Sequence, residues 1–182
     1  MSKNKIILIV LICIYFSSFA NANDCLIENG KIAGVGIGDT KEKIFSAFAS
    51  KYQIVEKNKP DSVQTLNLYQ NKKLILIFSL DADNKIIFID AYGDCLTSEK
   101  IGIGKTISDA IKAYGKCSLT PTDEGYLIDF EKTKRISFLL DNRAIPKRLR
   151  NIPDDVFSKK QEKEIMSLKN IKIKSIKINW TE

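Results

Sequence analysis

The sequence predicts an α+β fold made of two tandem α-β-β-β-β units whose antiparallel meanders share a core. The first observation is an internal repeat. Asp24-Cys25-Leu26 recurs as Asp94-Cys95-Leu96, and Gly36-Ile37-Gly38-Asp39-Thr40 recurs as Gly102-Ile103-Gly104-Lys105-Thr106. The second observation is that the apolar spacing after each Gly-Ile-Gly motif changes from a helical period to strand alternation. One helix and four strands cannot bury both faces of a sheet, whereas two joined copies can.

A predicted helix follows each Gly-Ile-Gly motif. The apolar stripe of the first helix comprises Ile44, Phe45, Phe48 and Ala49, and that of the second comprises Ile107, Ala110, Ile111 and Tyr114. Thr40 and Thr106 stand where N-cap residues are expected, and Gly115 stands where a glycine would end the second helix.

Alternating apolar and polar residues predict four strands after each helix. In the first unit they lie near residues 53–56, 65–69, 74–80 and 85–92, with turns at 71–72 and 81–84. In the second unit they lie near residues 116–119, 126–130, 135–140 and 171–180. The alternation changes phase between Ile173 and Ile176, which predicts a β-bulge at Lys174-Ser175.

The repeat also predicts the domain organisation. Residues 23–93 form the first helix-plus-sheet unit, and residues 94–182 form the second. The second unit carries a helical insertion at about 146–168, with a polar helix predicted over residues 154–168. Pro153 suits the first turn of that helix, and the acidic residues after it suit its dipole.

Residues 1–22 have the three parts of a cleaved secretory signal. Lys3 and Lys5 precede an uninterrupted apolar run at residues 6–16, and Ala20-Asn21-Ala22 supplies the small residues of a signal peptidase site. The run is shorter than the roughly 20 apolar residues that a membrane span requires. We therefore expect a periplasmic or secreted protein with no membrane span after cleavage.

The repeated motifs resemble those of a known fold. A Gly-Ile-Gly-x-Thr opening, a helix that ends at Tyr114-Gly115 and a meander with an inward Phe78 or Phe138 resemble the repeats of the beta-lactamase inhibitor protein (BLIP)-like fold. The pattern covers most of residues 24–180. The resemblance implies architecture and, by analogy, a sheet that serves as a binding surface. The insertion at 146–168 departs from the pattern, so whether the usual sheet face is open is not decided by the sequence.

Three cysteines follow the signal: Cys25, Cys95 and Cys117. In an oxidising compartment we expect one disulfide and one remaining thiol, and three pairings are open. Cys95 precedes the second predicted helix and Cys117 follows it, while the first unit has no cysteine that matches Cys117. We therefore expect a Cys95–Cys117 disulfide and a free Cys25.

The residue types argue against a conventional enzyme. The chain has no histidine, which excludes Ser-His and Cys-His nucleophile pairs and the commonest transition-metal ligand. The second glycine motif lacks the Walker A pattern, because Glu99 stands where that motif needs a glycine. The loop at Asp81 lacks the EF-hand glycine and glutamate. We predict no catalytic residue, no metal site and no cofactor; an enzyme that uses carboxylates or lysine is the alternative.

The formal net charge is +7, and one basic stretch comprises Arg143, Lys147, Arg148 and Arg150. Nothing resembles a nucleic-acid-binding motif. These four residues are the candidate partner-binding set, for which an acidic protein is a suitable partner. A solvated surface is the alternative for this stretch and for Lys172, Lys174 and Lys177.

Small size, export, duplication and the missing catalytic groups together predict a non-enzymatic protein-binding module. Its most concrete form is a periplasmic inhibitor or immunity-type protein that binds and blocks another protein. An envelope-assembly or cell-surface accessory protein is the alternative, and the identity of neighbouring genes would separate the two.

Overall fold

The computed structural model describes residues 25–58, 63–150 and 152–179. The signal segment and Trp180 lie outside the described residues. Within the described ranges the chain forms an α+β fold dominated by sheet, which confirms the predicted fold class.

The elements follow one another in this order. The strands are β1 (Leu26–Glu28), β2 (Lys31–Ile32), β3 (Val35–Gly36), β4 (Gln53–Lys57), β5 (Gln64–Gln70), β6 (Lys73–Leu80), β7 (Ile86–Ala91), β8 (Leu96–Thr97), β9 (Cys117–Thr122), β10 (Gly125–Phe130), β11 (Ile136–Leu140) and β12 (Ile173–Ile178). The helices are α1 (Lys41–Phe48), α2 (Ile107–Tyr114) and α3 (Lys159–Ser167). Short 3-10 turns lie at Asn142–Ala144, Lys147–Leu149 and Asp154–Val156.

An eight-stranded antiparallel sheet has the order β4-β5-β6-β7-β12-β11-β10-β9. The four strands after α1 form one half, and the four strands that follow α2 along the chain form the other. The halves meet where β7 pairs with β12, with Ile89 opposite Ile178 and Ala91 opposite Ile176. The predicted unit boundary at residues 93–94 lies between β7 and β8, and it stays a prediction.

Local residue chemistry sets the connections between these strands. Asn71 and Lys72 both have positive φ, 50° and 64°, as the two central residues of a tight right-twisting hairpin require. Leu139 pairs with Ser175 and Leu140 pairs with Ile173, so Lys174 is the extra residue of a bulge in β12. The predicted bulge is therefore present.

The two repeated helices begin in different ways. Thr106 forms a capping box with Asp109, in which each side chain accepts a hydrogen bond from the other residue's backbone. Thr40 occupies the same place before α1 without a side-chain cap. At that end of the first unit the Asp39 carboxylate instead accepts a bond from the Gly36 backbone N–H, 2.8 Å away.

The predicted helix over residues 154–168 is wrong in extent. The segment forms a 3-10 turn, then breaks, and α3 starts at Lys159. The break occurs because Ser158 adopts extended backbone geometry and caps α3 through a reciprocal pair of bonds with Gln161.

Both repeated helices pack on the same face of the large sheet. Phe48 of α1 lies 5.6 Å from Phe78, and Tyr114 of α2 lies 5.8 Å from Phe138, measured between ring centroids. The insertion packs on this face as well, since Phe157 lies 5.4 Å from Tyr126, whose hydroxyl donates to the Leu149 carbonyl. We call the opposite side, which these packed residues leave uncovered, the open face.

A second, small sheet has the order β3-β2-β1-β8, and it holds the disulfide. The bond joins Cys25 to Cys95, so the predicted Cys95–Cys117 pair and the free Cys25 are wrong. Parallel pairing of Leu26 with Leu96 brings the two repeated Asp-Cys-Leu motifs side by side, with the cysteine Cα atoms 4.5 Å apart. Cys117 begins β9 in the other sheet and is a half-buried thiol.

Candidate binding surface

The open face carries half-buried apolar and aromatic side chains. Strand alternation places the chain neighbours of core-facing residues on this side of the sheet. Tyr69 follows Leu68, Ile77 precedes Phe78, Phe88 precedes Ile89 and Leu127 precedes Ile128, and each of the four is partly exposed. Leu139 also lies there, buried but outside the main core cluster.

A row of mostly polar side chains crosses the open face at right angles to the strands. The strand registers align, in order, Asn67, Ile77, Asp90, Lys177, Ser137 and Asp129. Neighbours in such a row are about 5 Å apart, so the six side chains lie side by side. At one end the Ser137 hydroxyl donates to the Asp129 carboxylate.

Lys177 lies at the centre of the row and is bound by two carboxylates. Its ammonium is 3.1 Å from Asp90 Oδ1 and 3.0 Å from Glu124 Oε2, with the side chain 8% exposed. It also lies 5.2 Å from the centroid of the Phe88 ring, a cation–π distance. Glu124 comes from the β9–β10 turn, which therefore reaches over this part of the face.

Burial and charge act in opposite directions on this cluster. Burial alone would lower the pKa of Lys177, but the Asp90 and Glu124 carboxylates outweigh it and raise that pKa above its usual value. Burial raises the pKa of Asp90 in spite of the adjacent ammonium. The cluster is a charged site held in a partly dry environment.

Among the described residues, two buried oxygens on the open face, Asn67 Oδ1 and Ser175 Oγ, have no hydrogen-bond partner. Asp90 Oδ1 is also buried, but it lies 3.1 Å from the Lys177 ammonium and is paired with that charge. The amide oxygen of Asn67 can only accept. Because a buried unpaired acceptor costs free energy, an incoming N–H or O–H donor would be stabilised there.

The predicted partner-binding residues lie in the insertion and just before it, and internal contacts occupy three of them. Arg143 pairs with Asp141 at 2.7 Å, and Arg148 pairs with Glu164. Arg150 donates to the carbonyls of Ile145 and Arg143. Lys147 is exposed. A partner contact by these four residues stays a prediction.

The sequence does not single out Lys177, for which a solvated surface is the alternative given above. Lys172 and Lys174 are exposed, but Lys177 is buried. Its position between Ile176 and Ile178 shows that it faces away from the core. Its contact with Asp90 depends on the pairing of β7 with β12, which no local pattern indicates. Among the tyrosines, Tyr126 is buried, and Tyr69 and Tyr92 are half-buried.

Comparison with known proteins supports the fold alone. No family model matches the chain, and no curated protein matches its sequence. A similar solved structure is that of the uncharacterized protein YfeY from Escherichia coli, at a TM-score of 0.53 and 17% identity over 87% of this chain and 100% of that chain. Along the described ranges, no helix combines the length and apolar character needed to cross a membrane. The Cys25–Cys95 bond indicates an oxidising, extracytoplasmic environment. The chain thus shares an α+β fold with YfeY.

Proposed function

We propose that this protein is an exported, non-enzymatic protein-binding module of the periplasm or the secreted fraction, and that it binds its partner through the open face. The observation that carries the proposal is the combination on one sheet face of partly exposed aromatic residues with buried, unpaired polar oxygens. Phe88 and Tyr69 supply large contact area, which is typical of interface hot spots.

The helices and the insertion support this assignment by their position. The contacts of α1, α2 and Phe157 all lie on the opposite face. The insertion, whose effect on the sheet face the sequence left open, therefore packs away from the proposed surface. The open face extends over strands from both halves of the sheet, so a partner would contact both units.

The chemistry of the open face favours a partner that donates hydrogen bonds. Asn67 Oδ1 can only accept, and it lies beside Ile77, which separates it from Asp90 in the row. A lysine or arginine side chain, or an exposed backbone N–H, would supply the donor that Asn67 lacks. An acidic partner, by contrast, would suit the insertion loop with Lys147.

The narrower form of the proposal is a periplasmic inhibitor or immunity-type protein that blocks another protein. A rigid antiparallel sheet is suited to this role because little order has to be gained on binding. An envelope-assembly or cell-surface accessory role is the alternative, in which the partner is held and not blocked.

Site-specific photo-crosslinking in cells tests the surface. A photo-reactive phenylalanine analogue at position 88 is expected to give one discrete adduct. The same analogue at the exposed Phe45 of α1 is the matched control, and no adduct is expected there. An adduct at position 147 but not at 88, 77 or 69 would move the surface to the insertion. Absence of an adduct at all of these positions would overturn the proposal.

The identified partner then separates inhibition from assembly. If the partner is an enzyme or toxin, the purified protein is expected to lower its activity in proportion to complex formed, and F88A is expected to relieve that inhibition. A complex that leaves the partner's activity unchanged supports the accessory role.

A further inference from the structure

A concave site separate from the polar row lies where the small sheet meets the large one. The cleft has a volume of about 610 Å³, which falls in the size range of sites for small molecules. One wall comes from β1 and β8, a second from the end of α2, and the third from the turn between β10 and β11. Ile27 and Ile136 provide an apolar floor.

Hydrogen bonds fix the acidic wall. The Tyr114 hydroxyl lies 2.5 Å from Thr97 Oγ1 and 3.0 Å from Glu99 Oε2. The Ser98 hydroxyl donates to the same carboxylate oxygen at 2.8 Å. The hydrogen bond from Ser98 does most to lower the pKa of Glu99, and that from Tyr114 lowers it further. Its carboxylate is therefore already supplied with donors from within the chain.

The opposite wall is basic and is also held in place. Lys132, Lys134 and Arg135 line it within one turn. Between them the buried Thr133 anchors the turn, because its hydroxyl donates to the Ile136 carbonyl at 2.9 Å. Arg135 has a positive φ of 72°, an uncommon conformation for a residue with a side chain. The turn thus presents its cations from a fixed backbone.

We propose that this cleft binds a small organic anion. The apolar part of the ligand lies on Ile27 and Ile136, and its carboxylate or phosphate group contacts Lys132 and Lys134. The charges that line the cleft favour an anion over a cation, because Lys132 and Lys134 face one carboxylate, that of Glu99, which its own neighbours satisfy. This site is independent of the proposed partner surface.

The experiment uses three six-carbon probes with different head groups: hexanoate, hexanol and hexylamine. Binding is followed by backbone amide chemical shifts of the isotope-labelled mature protein. Hexanoate is expected to give saturable shifts at residues 97–99 and 132–136, and hexylamine none. Inorganic phosphate tests the charge alone. Saturable shifts with phosphate would show that the cleft recognises the charge, and their absence would show that it recognises the whole amphiphilic anion.

Two charge-matched variants complete the test. K132A/K134A is expected to weaken hexanoate binding at least tenfold, whereas K169A/K172A, which removes two exposed lysines elsewhere, leaves it within twofold. Equal shifts from all three probes, no saturable binding of hexanoate, or equal losses in both variants would overturn the proposal. Since each variant's amide spectrum reports its folding, loss of the fold is recognised directly.

Discussion

Lys177 is the charged residue whose surroundings differ most from the usual solvated lysine. It lies on the non-core side of a central strand, yet it is buried against Phe88 and two carboxylates. A buried ion pair contributes little net stability when it is complete, but removal of one partner leaves an uncompensated charge. Single substitutions in this cluster are therefore expected to lower the free energy of unfolding more than a double substitution that removes both charges.

Lys177→Met is expected to destabilise the protein by about 3 kcal/mol, because Asp90 then stays buried beside Glu124 without a cation. Urea unfolding of the variant measures the change. Lys174→Met, at the exposed bulge position three residues earlier, is the control and should change stability by less than about 0.5 kcal/mol. The double variant D90N/K177M is expected to recover much of the loss. Equal stability of K177M and wild type would show that the cluster is not formed.

Asp141 gives a pH-dependent prediction. Hydrogen bonds from the Arg143 side chain to the Asp141 carboxylate lower the pKa of Asp141 to about 2. Asp141 Oδ1 also accepts a hydrogen bond from the Arg143 backbone N–H. Because the folded pKa lies below the unfolded value, this stabilisation is present above about pH 4 and is lost as pH falls toward 2.

Asp141→Ala is expected to cost about 1 kcal/mol at pH 7, through loss of the capping acceptor of the turn at Asn142–Ala144. The difference between variant and wild type should shrink as the pH is lowered from 4 to 2. Urea unfolding at a series of pH values measures it. A difference that does not vary with pH would contradict the assignment of the stabilisation to the ionised carboxylate.

At the scale of elements, the duplication supplies a matched pair of helix starts. Thr106→Ala should cost about 1 kcal/mol because it removes the hydroxyl that accepts from the Asp109 N–H. Thr40→Ala should cost less, since the Thr40 side chain caps nothing. Thermal or urea unfolding of the two variants compares them directly. Equal losses would show that the capping box at Asp109 adds no stability.

The elements were predictable wherever the signal was local. Alternation located all eight strands of the large sheet, and the phase change between Ile173 and Ile176 located the bulge. The predicted helix at 154–168 is too long because a serine occurs both within helices and at their N-caps, so Ser158 alone does not show where the helix begins. The disulfide and the Lys177–Asp90 contact were not predictable, because both depend on which distant strands pair: β1 with β8 and β7 with β12.

At the scale of the whole molecule, the disulfide connects the starts of the two repeats. It closes a loop with a sequence separation of 70 residues, which in the chain-entropy description corresponds to roughly 4 kcal/mol. C25S/C95S is expected to lose stability of that order under oxidising conditions, as measured by urea unfolding. C117S removes the remaining thiol among the described cysteines and should stay within about 1 kcal/mol of wild type. Similar losses in both variants would contradict the pairing.

The meeting of β7 with β12 at the centre of the large sheet has a consequence for how the chain folds. The middle of the sheet is completed by the last described strand, so native contacts there have high sequence separation and form slowly. Until Ile173–Ile178 has been synthesised, one edge of the apolar strand β7 has unpaired backbone amides and carbonyls. A nascent or shortened chain that lacks β12 therefore exposes an unpaired strand edge. We expect such chains to associate through β7 instead of folding alone.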